Sequence, residues 1–250
     1  MTPRYPVVLF DLDHTISDFE TTKREAFPAV MALHGIDAEA SSTFDPPLVD
    51  TFAAVEKPLW DGVESGEVSL DTLNDQRWAG LVEAAGLDLD PAVLGVDYLA
   101  ALGRLGRFFP GATELLETLQ PHCMLGLITN GYAEVQRPRI AHFGVEHFFD
   151  VIVISSEIGV AKPDPRFFDD ALRQIRAIDG HADRPHSEIL VVGDSLTSDM
   201  AGAVGSQLPA CWFNPHGAGQ PTHSPFDTRP IDHTVATFDE IYTLVLGEAP

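Results

Sequence analysis

Five short apolar runs punctuate the chain, at Val7–Phe10, Met124–Ile128, Val151–Ile154, Ile189–Val192 and Ala210–Phe213. Polar residues hardly interrupt them, so each suits a parallel strand covered on both faces rather than a strand with one wet side. Stretches of helical spacing lie between most of them, such as Thr113–Leu119, Ala133–His142, Pro165–Ile175 and Thr197–Val204. That alternation predicts an α/β fold, a doubly wound, Rossmann-like parallel sheet. After Phe213 a tail rich in Pro, Gly and His reads as a loop leading to a last short strand near Val235 and a helix over Asp239–Leu246.

The first interval breaks the rhythm, since more than 110 residues separate Phe10 from Met124. Helix signals fill it. Ser17-Asp18-Phe19-Glu20 has the form of a capping box, Gly35 of a helix stop, and Asp90-Pro91 of an N-cap followed by a first-turn proline. Leu70, Leu73, Leu81, Val82 and Ala85 keep near-helical spacing. The pattern predicts an all-helical insert over residues 17–106, with residues 1–16 and 107–250 forming the sheet domain.

At 250 residues, with 44% hydrophobic and 21% charged positions, the composition is that of an ordinary folded protein. The charge is not ordinary: 38 acidic against 15 basic side chains give −23. Such a field repels nucleic acid polymers and anionic membranes, and any bound phosphate needs local cations of its own. Cys123 and Cys211 lie far apart in apolar runs without metal or redox spacing, and read as buried reduced thiols. No basic leader precedes an apolar segment and no apolar run reaches membrane-spanning length, so a cytoplasmic protein is expected.

Chemistry gathers where the runs end, which in an open parallel sheet is where ligands bind. Asp11-Leu12-Asp13-His14-Thr15 follows the first run. Two carboxylates in alternate positions can divide the labour, one attacking phosphorus and holding a metal, the other moving protons. Thr129-Asn130-Gly131 ends the second run with a hydroxyl, an amide and a residue that lets backbone approach a ligand. Lys162-Pro163 follows the third, and Lys162 is one of only three lysines, with Lys23 and Lys57. Gly193-Asp194-Ser195-Leu196-Thr197-Ser198-Asp199 follows the fourth. A turn or a helix start accounts for any one of these alone. Together they bring four carboxylates toward one lysine, a set that calls for a hard cation with oxygen ligands such as Mg2+.

These four motifs, in this order, resemble those of the haloacid dehalogenase superfamily, and the helical insert is similar to its cap domain. The resemblance covers nearly the whole chain. Asp13 matches the phosphatase branch, because dehalogenases lack an acid/base aspartate there; His14 stands where many relatives carry Gly. The implied activity is a Mg2+-dependent phosphomonoester hydrolysis through an aspartyl-phosphate, with Asp11 as nucleophile and Asp13 as acid/base. Asp11, the Asp13 backbone carbonyl and Asp194 would hold the metal. Thr129, Asn130 and Lys162 would hold the phosphoryl group, and Asp199 would orient Lys162 or a metal-bound water. In the insert, Val55-Glu56-Lys57-Pro58-Leu59-Trp60 and Arg77-Trp78, with Cys211-Trp212-Phe213-Asn214, look like the pyrimidine 5′-nucleotidase branch. A small phosphorylated metabolite, a nucleoside monophosphate, is therefore the expected partner, with Lys57 and Trp60 touching the base, or Trp60 packing the insert. Glu56 stands where Asn is expected in that branch. Alternatives are a general sugar- or organic-phosphate phosphatase, a phosphomutase, and a non-enzymatic binding protein. Release of inorganic phosphate separates the first from the other two.

Overall fold

In a computed structural model, residues 2–38, 44, 46–64, 66–217, 219 and 230–247 are described. Part of the predicted loop after Phe213, residues 218 and 220–229, lies outside them. The elements run β1 (Val7–Phe10), α1 (Phe19–Leu33), α2 (Leu48–Glu64), α3 (Leu70–Ala85), α4 (Pro91–Leu102), α5 (Ala112–Leu119), β2 (Met124–Thr129), α6 (Ala133–Phe143) and β3 (Val151–Ile154). Then follow α7 (Ser155–Ile158), α8 (Pro165–Arg176), β4 (Ile189–Gly193), α9 (Ala201–Gly205), β5 (Ala210–Phe213), β6 (His233–Val235) and α10 (Phe238–Leu246). No helix among the described residues is long and apolar enough to cross a membrane.

The apolar runs become six strands in the order β3-β2-β1-β4-β5-β6, every neighbouring pair parallel. This is the predicted α/β class. Residues of β1, β2, β4 and β5 are buried throughout, as continuous apolar runs require when both faces are covered. On one face, Phe167, Phe168, Ala171, Leu172 and Ile175 of α8 pack among Val7, Leu9, Ile189 and Val191. Asp164 caps α8 by accepting from the Arg166 amide, and Pro165 fills its first turn. The chain leaves β1 to one side for β2 and β3 and returns to the other side for β4 to β6. The crevice beyond β1 is thus the switch point of a doubly wound sheet.

Two compact units divide the chain: residues 1–18, 107–133 and 143–250 form the sheet unit, and residues 19–106 with 134–142 the helical unit. Asp90 and Pro91 start α4 as the sequence predicts, and Gly35 follows α1 with φ of 76°. Ser17 departs from its expected place in a capping box, because α1 begins only at Phe19 and Ser17 instead bridges to Asp13 and Phe108. An aromatic stack makes the core of the helical unit. Ring centroids of Phe27 and Phe52 lie 4.6 Å apart, Phe52 and Trp78 4.9 Å, and Trp78 and Tyr98 5.2 Å, each pair adding about 0.5–1.5 kcal/mol beyond its buried area.

Candidate active site

Asp11 is the first residue beyond β1, and its amide still donates to Val192 of β4 at 2.9 Å, so the ladder itself aims the side chain into the crevice. Lys162 reaches it from the loop after α7. The ammonium donates to Asp11 Oδ1 at 2.6 Å, to Asp199 Oδ1 at 2.6 Å and to the Ile128 carbonyl at 2.8 Å. All three of its protons are therefore committed within the protein. Its backbone is held as firmly: Asn130 accepts from the Lys162 amide at 2.9 Å and donates to its carbonyl at 3.0 Å. Both ends of the Asn130 amide thus serve to place Lys162.

On the other side of Asp11, the helix expected over Thr197–Val204 begins as a wider π-helical turn, Leu196–Met200, before α9. That turn swings Asp199 back so that its Oδ2 accepts from the Ser195 amide at 3.1 Å. The side chain passes so close to β4 that a Cβ on Gly193 would stand 2.4 Å from Asp199 Cγ; only glycine fits there. Asp194 is tied to the first motif through Thr15, whose hydroxyl accepts from the Asp194 amide at 3.0 Å and donates to Oδ1 at 3.3 Å.

The carboxylate oxygens of Asp11, Asp194 and Asp199 come within 4.8 Å of one another. One ammonium faces three clustered carboxylates, two of them buried and that of Asp194 half-buried. Burial raises Asp11 well above the usual carboxylate range, against Lys162 and with the charges of Asp199 and Asp194 adding to the rise. Burial, with the charge of Asp199, pushes Asp194 up to about 7. Burial also opposes the charge on Lys162, but Asp11 and Asp199 outweigh it and keep the ammonium protonated. An oxygen-only cluster short of positive charge fits a hard divalent cation. Asp199 has both oxygens engaged, on Lys162 and on Ser195, which suits it to orienting rather than ligating.

The remaining predicted residues are placed as follows. Asp13 is half-buried two positions beyond Asp11 and bridges to Ser17. Thr129 is fully buried at the end of β2. Gly131 follows with φ of 145°, its amide donating to the Ser155 hydroxyl at 2.9 Å. Lys57 and Trp60 belong to the helical unit, on α2. Lys57 is exposed and pairs with Asp61 at 3.1 Å, and Trp60 is half-buried, outside the aromatic stack. Glu56 accepts from buried Arg77 at 2.9 Å. A cavity of about 560 Å³ in the sheet unit, lined by Phe109, Phe213, Phe238 and Tyr242 among others, includes none of the clustered carboxylates.

The sequence profile of the haloacid dehalogenase-like hydrolases matches residues 5–206. The chain belongs to this family. It is similar to the pyrimidine 5′-nucleotidase YjjG of Escherichia coli, 33% identical over 86% of this chain and 88% of that one. The pyrimidine 5′-nucleotidase PynA of Streptococcus pneumoniae is 29% identical over 85% of each chain. Among solved structures, the putative hydrolase YfnB of Bacillus subtilis, bound to magnesium, superposes with a TM-score of 0.81 at 26% identity, covering 96% of this chain and 98% of that one. As a member of the family the chain is a hydrolase. Neither Asn130's hold on Lys162 nor the pairing of Glu56 with Arg77 is visible in the motifs; the one local signal is that Arg77 shares the helical face of Leu73 and Leu81, four residues from each.

Proposed function

We propose that this hydrolase is a Mg2+-dependent phosphatase that works through an aspartyl-phosphate on Asp11 and takes pyrimidine nucleoside 5′-monophosphates. The observation that carries the chemistry is the buried cluster at the switch point, where Lys162 meets Asp11 at 2.6 Å beside Asp194 and Asp199. Asp11, Asp194 and the Asp13 carbonyl would hold the cation. Bound there, Mg2+ would neutralise the crowded carboxylates and the phosphoryl charge.

Lys162 holds Oδ1 of Asp11, leaving Oδ2 to attack phosphorus in line as the bond to the leaving oxygen breaks. Asp13 donates its proton to that oxygen, releasing an alcohol. As a carboxylate it then takes a proton from water, whose oxygen attacks the phosphorus of the aspartyl-phosphate and frees inorganic phosphate. Thr129 and Lys162 oppose the charge on the phosphoryl oxygens, Asn130 acts by fixing Lys162, and Asp199 orients the same ammonium. The substrate class rests on the two pyrimidine 5′-nucleotidases to which the chain is similar. Trp60 and Lys57 offer a flat ring and a cation for a base, and stacking of that kind contributes about 1–3 kcal/mol.

Phosphate release from UMP, dUMP and dTMP should exceed that from AMP, GMP and sugar phosphates in kcat/KM, vanish with EDTA and return with Mg2+. Asp11→Asn should abolish it while the fold persists. Equal rates on all substrates would return the assignment to a general phosphatase, isomerised sugar phosphate without phosphate release would mean a mutase, and activity in Asp11→Asn would overturn the mechanism.

A further inference from the structure

Outside the four motifs, one side chain bears directly on the carboxylate cluster. Trp212 lies on β5, paired in register with Gly193 of β4, and is 4% exposed among Val191, Met200 and Leu208. Its indole nitrogen donates to the Asp194 carbonyl at 2.8 Å. The N–H of that same peptide unit, belonging to Ser195, donates to Asp199 Oδ2 at 3.1 Å. The peptide between Asp194 and Ser195 is therefore gripped on both edges. Thr15 grips the preceding amide at 3.0 Å. Fixing two successive peptide planes fixes the direction in which the Asp194 side chain leaves the backbone, and the Thr15 hydroxyl, donating to Oδ1 at 3.3 Å, then selects its rotamer.

We infer that Trp212 is a positioning residue, which acts through the Asp194 carbonyl to hold that carboxylate in its metal-binding direction. The inference rests on the Mg2+ site proposed above. Packing alone explains why a large ring fills this place, since phenylalanine or leucine would also be buried there. It does not explain an indole, whose N–H is costly to bury without an acceptor. The one polar side-chain atom of Trp212 is spent on the loop that carries Asp194. Groups that orient a metal ligand in this way change affinity by about 10- to 100-fold when removed.

The test is Trp212→Phe, which keeps an aromatic ring and loses the donor. Mg2+ and Mn2+ binding to the full chain is measured by calorimetry at pH 8, beside the melting temperature of the metal-free protein. The expected result is a roughly 10-fold or greater loss of metal affinity in folded Trp212→Phe. Activity falls at low Mg2+ and recovers as Mg2+ is raised. A residue that only packs would lower the metal-free melting temperature and leave the affinity where it was, and that outcome overturns the inference. If phenylalanine does not fold, a benzothienylalanine at position 212 keeps the bicyclic shape with sulfur in place of N–H and is read in the same way. Absence of metal binding in the unsubstituted protein would instead refute the Mg2+ site itself, and the inference with it.

Discussion

Replacing Lys162 with methionine keeps the length of the side chain and removes its charge, and the structure sets the size of the effect. Lys162 and Asp199 are each 1% exposed as side chains, Asp11 is 8% exposed, and both ion pairs measure 2.6 Å. Breaking a buried pair from one side costs about 3–5 kcal/mol, because the surviving charge keeps its burial and loses its partner. Protonation offers the carboxylates an escape. For a carboxyl group of ordinary acidity, protonation costs about 5 kcal/mol at pH 7.5 and about 2 kcal/mol at pH 5.5. The loss in Lys162→Met should therefore be about 3–5 kcal/mol at pH 7.5 and should shrink toward about 2 kcal/mol at pH 5.5. Urea denaturation of the metal-free protein at the two pH values reads both figures from the midpoints at constant slope. In a chain of this size the first figure corresponds to a fall in melting temperature of roughly 6–20 °C. A loss below 1 kcal/mol at pH 7.5, or one that does not shrink on acidification, would refute the reasoning and mean that solvent already screens the cluster.

Three further outcomes are expected. Asp13→Asn should lose about 10²- to 10⁴-fold in kcat with ordinary phosphomonoesters and much less with an aryl phosphate whose leaving oxygen needs no proton; an equal loss on both would remove Asp13 from the acid role. Because burial lifts Asp194 to about 7, the native metal-free protein binds a proton that the unfolded chain has already released above about 3.9. Its contribution to stability is accordingly present below that value and lost as pH rises through 7. By the same linkage, Mg2+ affinity should drop about tenfold per pH unit below 7, and calorimetry showing a flat profile from pH 5.5 to 8.5 would contradict it. His14 holds φ of 66°, a left-handed conformation that costs a side chain about 1–2 kcal/mol, whereas glycine loses about 0.5–1 kcal/mol of chain entropy. His14→Gly should stabilise the protein by roughly 0.5–1 kcal/mol in the same denaturation assay, and a loss above 1 kcal/mol would show that the imidazole makes contacts worth more than the strain.

Signals confined to one element were readable in the sequence. The unbroken apolar runs gave the parallel sheet because burial on both faces leaves no polar alternation. Asp90-Pro91 marked the start of α4 because capping is decided within a few residues. The order of the strands was not readable, although it makes the crevice, since nothing local to β4 says that it pairs with β1 rather than β3. The same limit hid the partner of Asn130: its amide reads as a turn residue or a phosphate contact until the β2–α6–β3 crossover brings Lys162 beside it. Trp212 reads as part of an apolar strand and of a stretch similar to the nucleotidase branch, but its bond to Asp194 is invisible there, because a hydrogen bond from a core indole leaves no trace in spacing. The helix expected from Thr197 turned out to open with a π turn. Its widening goes with the close approach of Asp199 to Gly193, a contact between β4 and the turn that no periodicity encodes.

The same limit bears on how substrate choice is read from single positions in the helical unit. Glu56 differs from the residue expected in the nucleotidase branch, and a difference in a binding unit invites a reading in terms of the base. Its carboxylate is instead occupied: Arg77, 2% exposed as a residue, donates to it at 2.9 Å and to Asn74 at 2.7 Å. The same guanidinium lies 4.7 Å from the ring centre of Tyr98. An asparagine at 56 would keep an acceptor there but remove the charge that balances Arg77 inside the aromatic stack, and a buried guanidinium without a counter-charge is costly. In this chain Glu56 thus serves the fold of the helical unit, as the counter-charge of buried Arg77. Glu56 therefore says nothing against a pyrimidine substrate, and on α2 that question falls to Lys57, exposed, and Trp60, half-buried, one and four residues further along the helix.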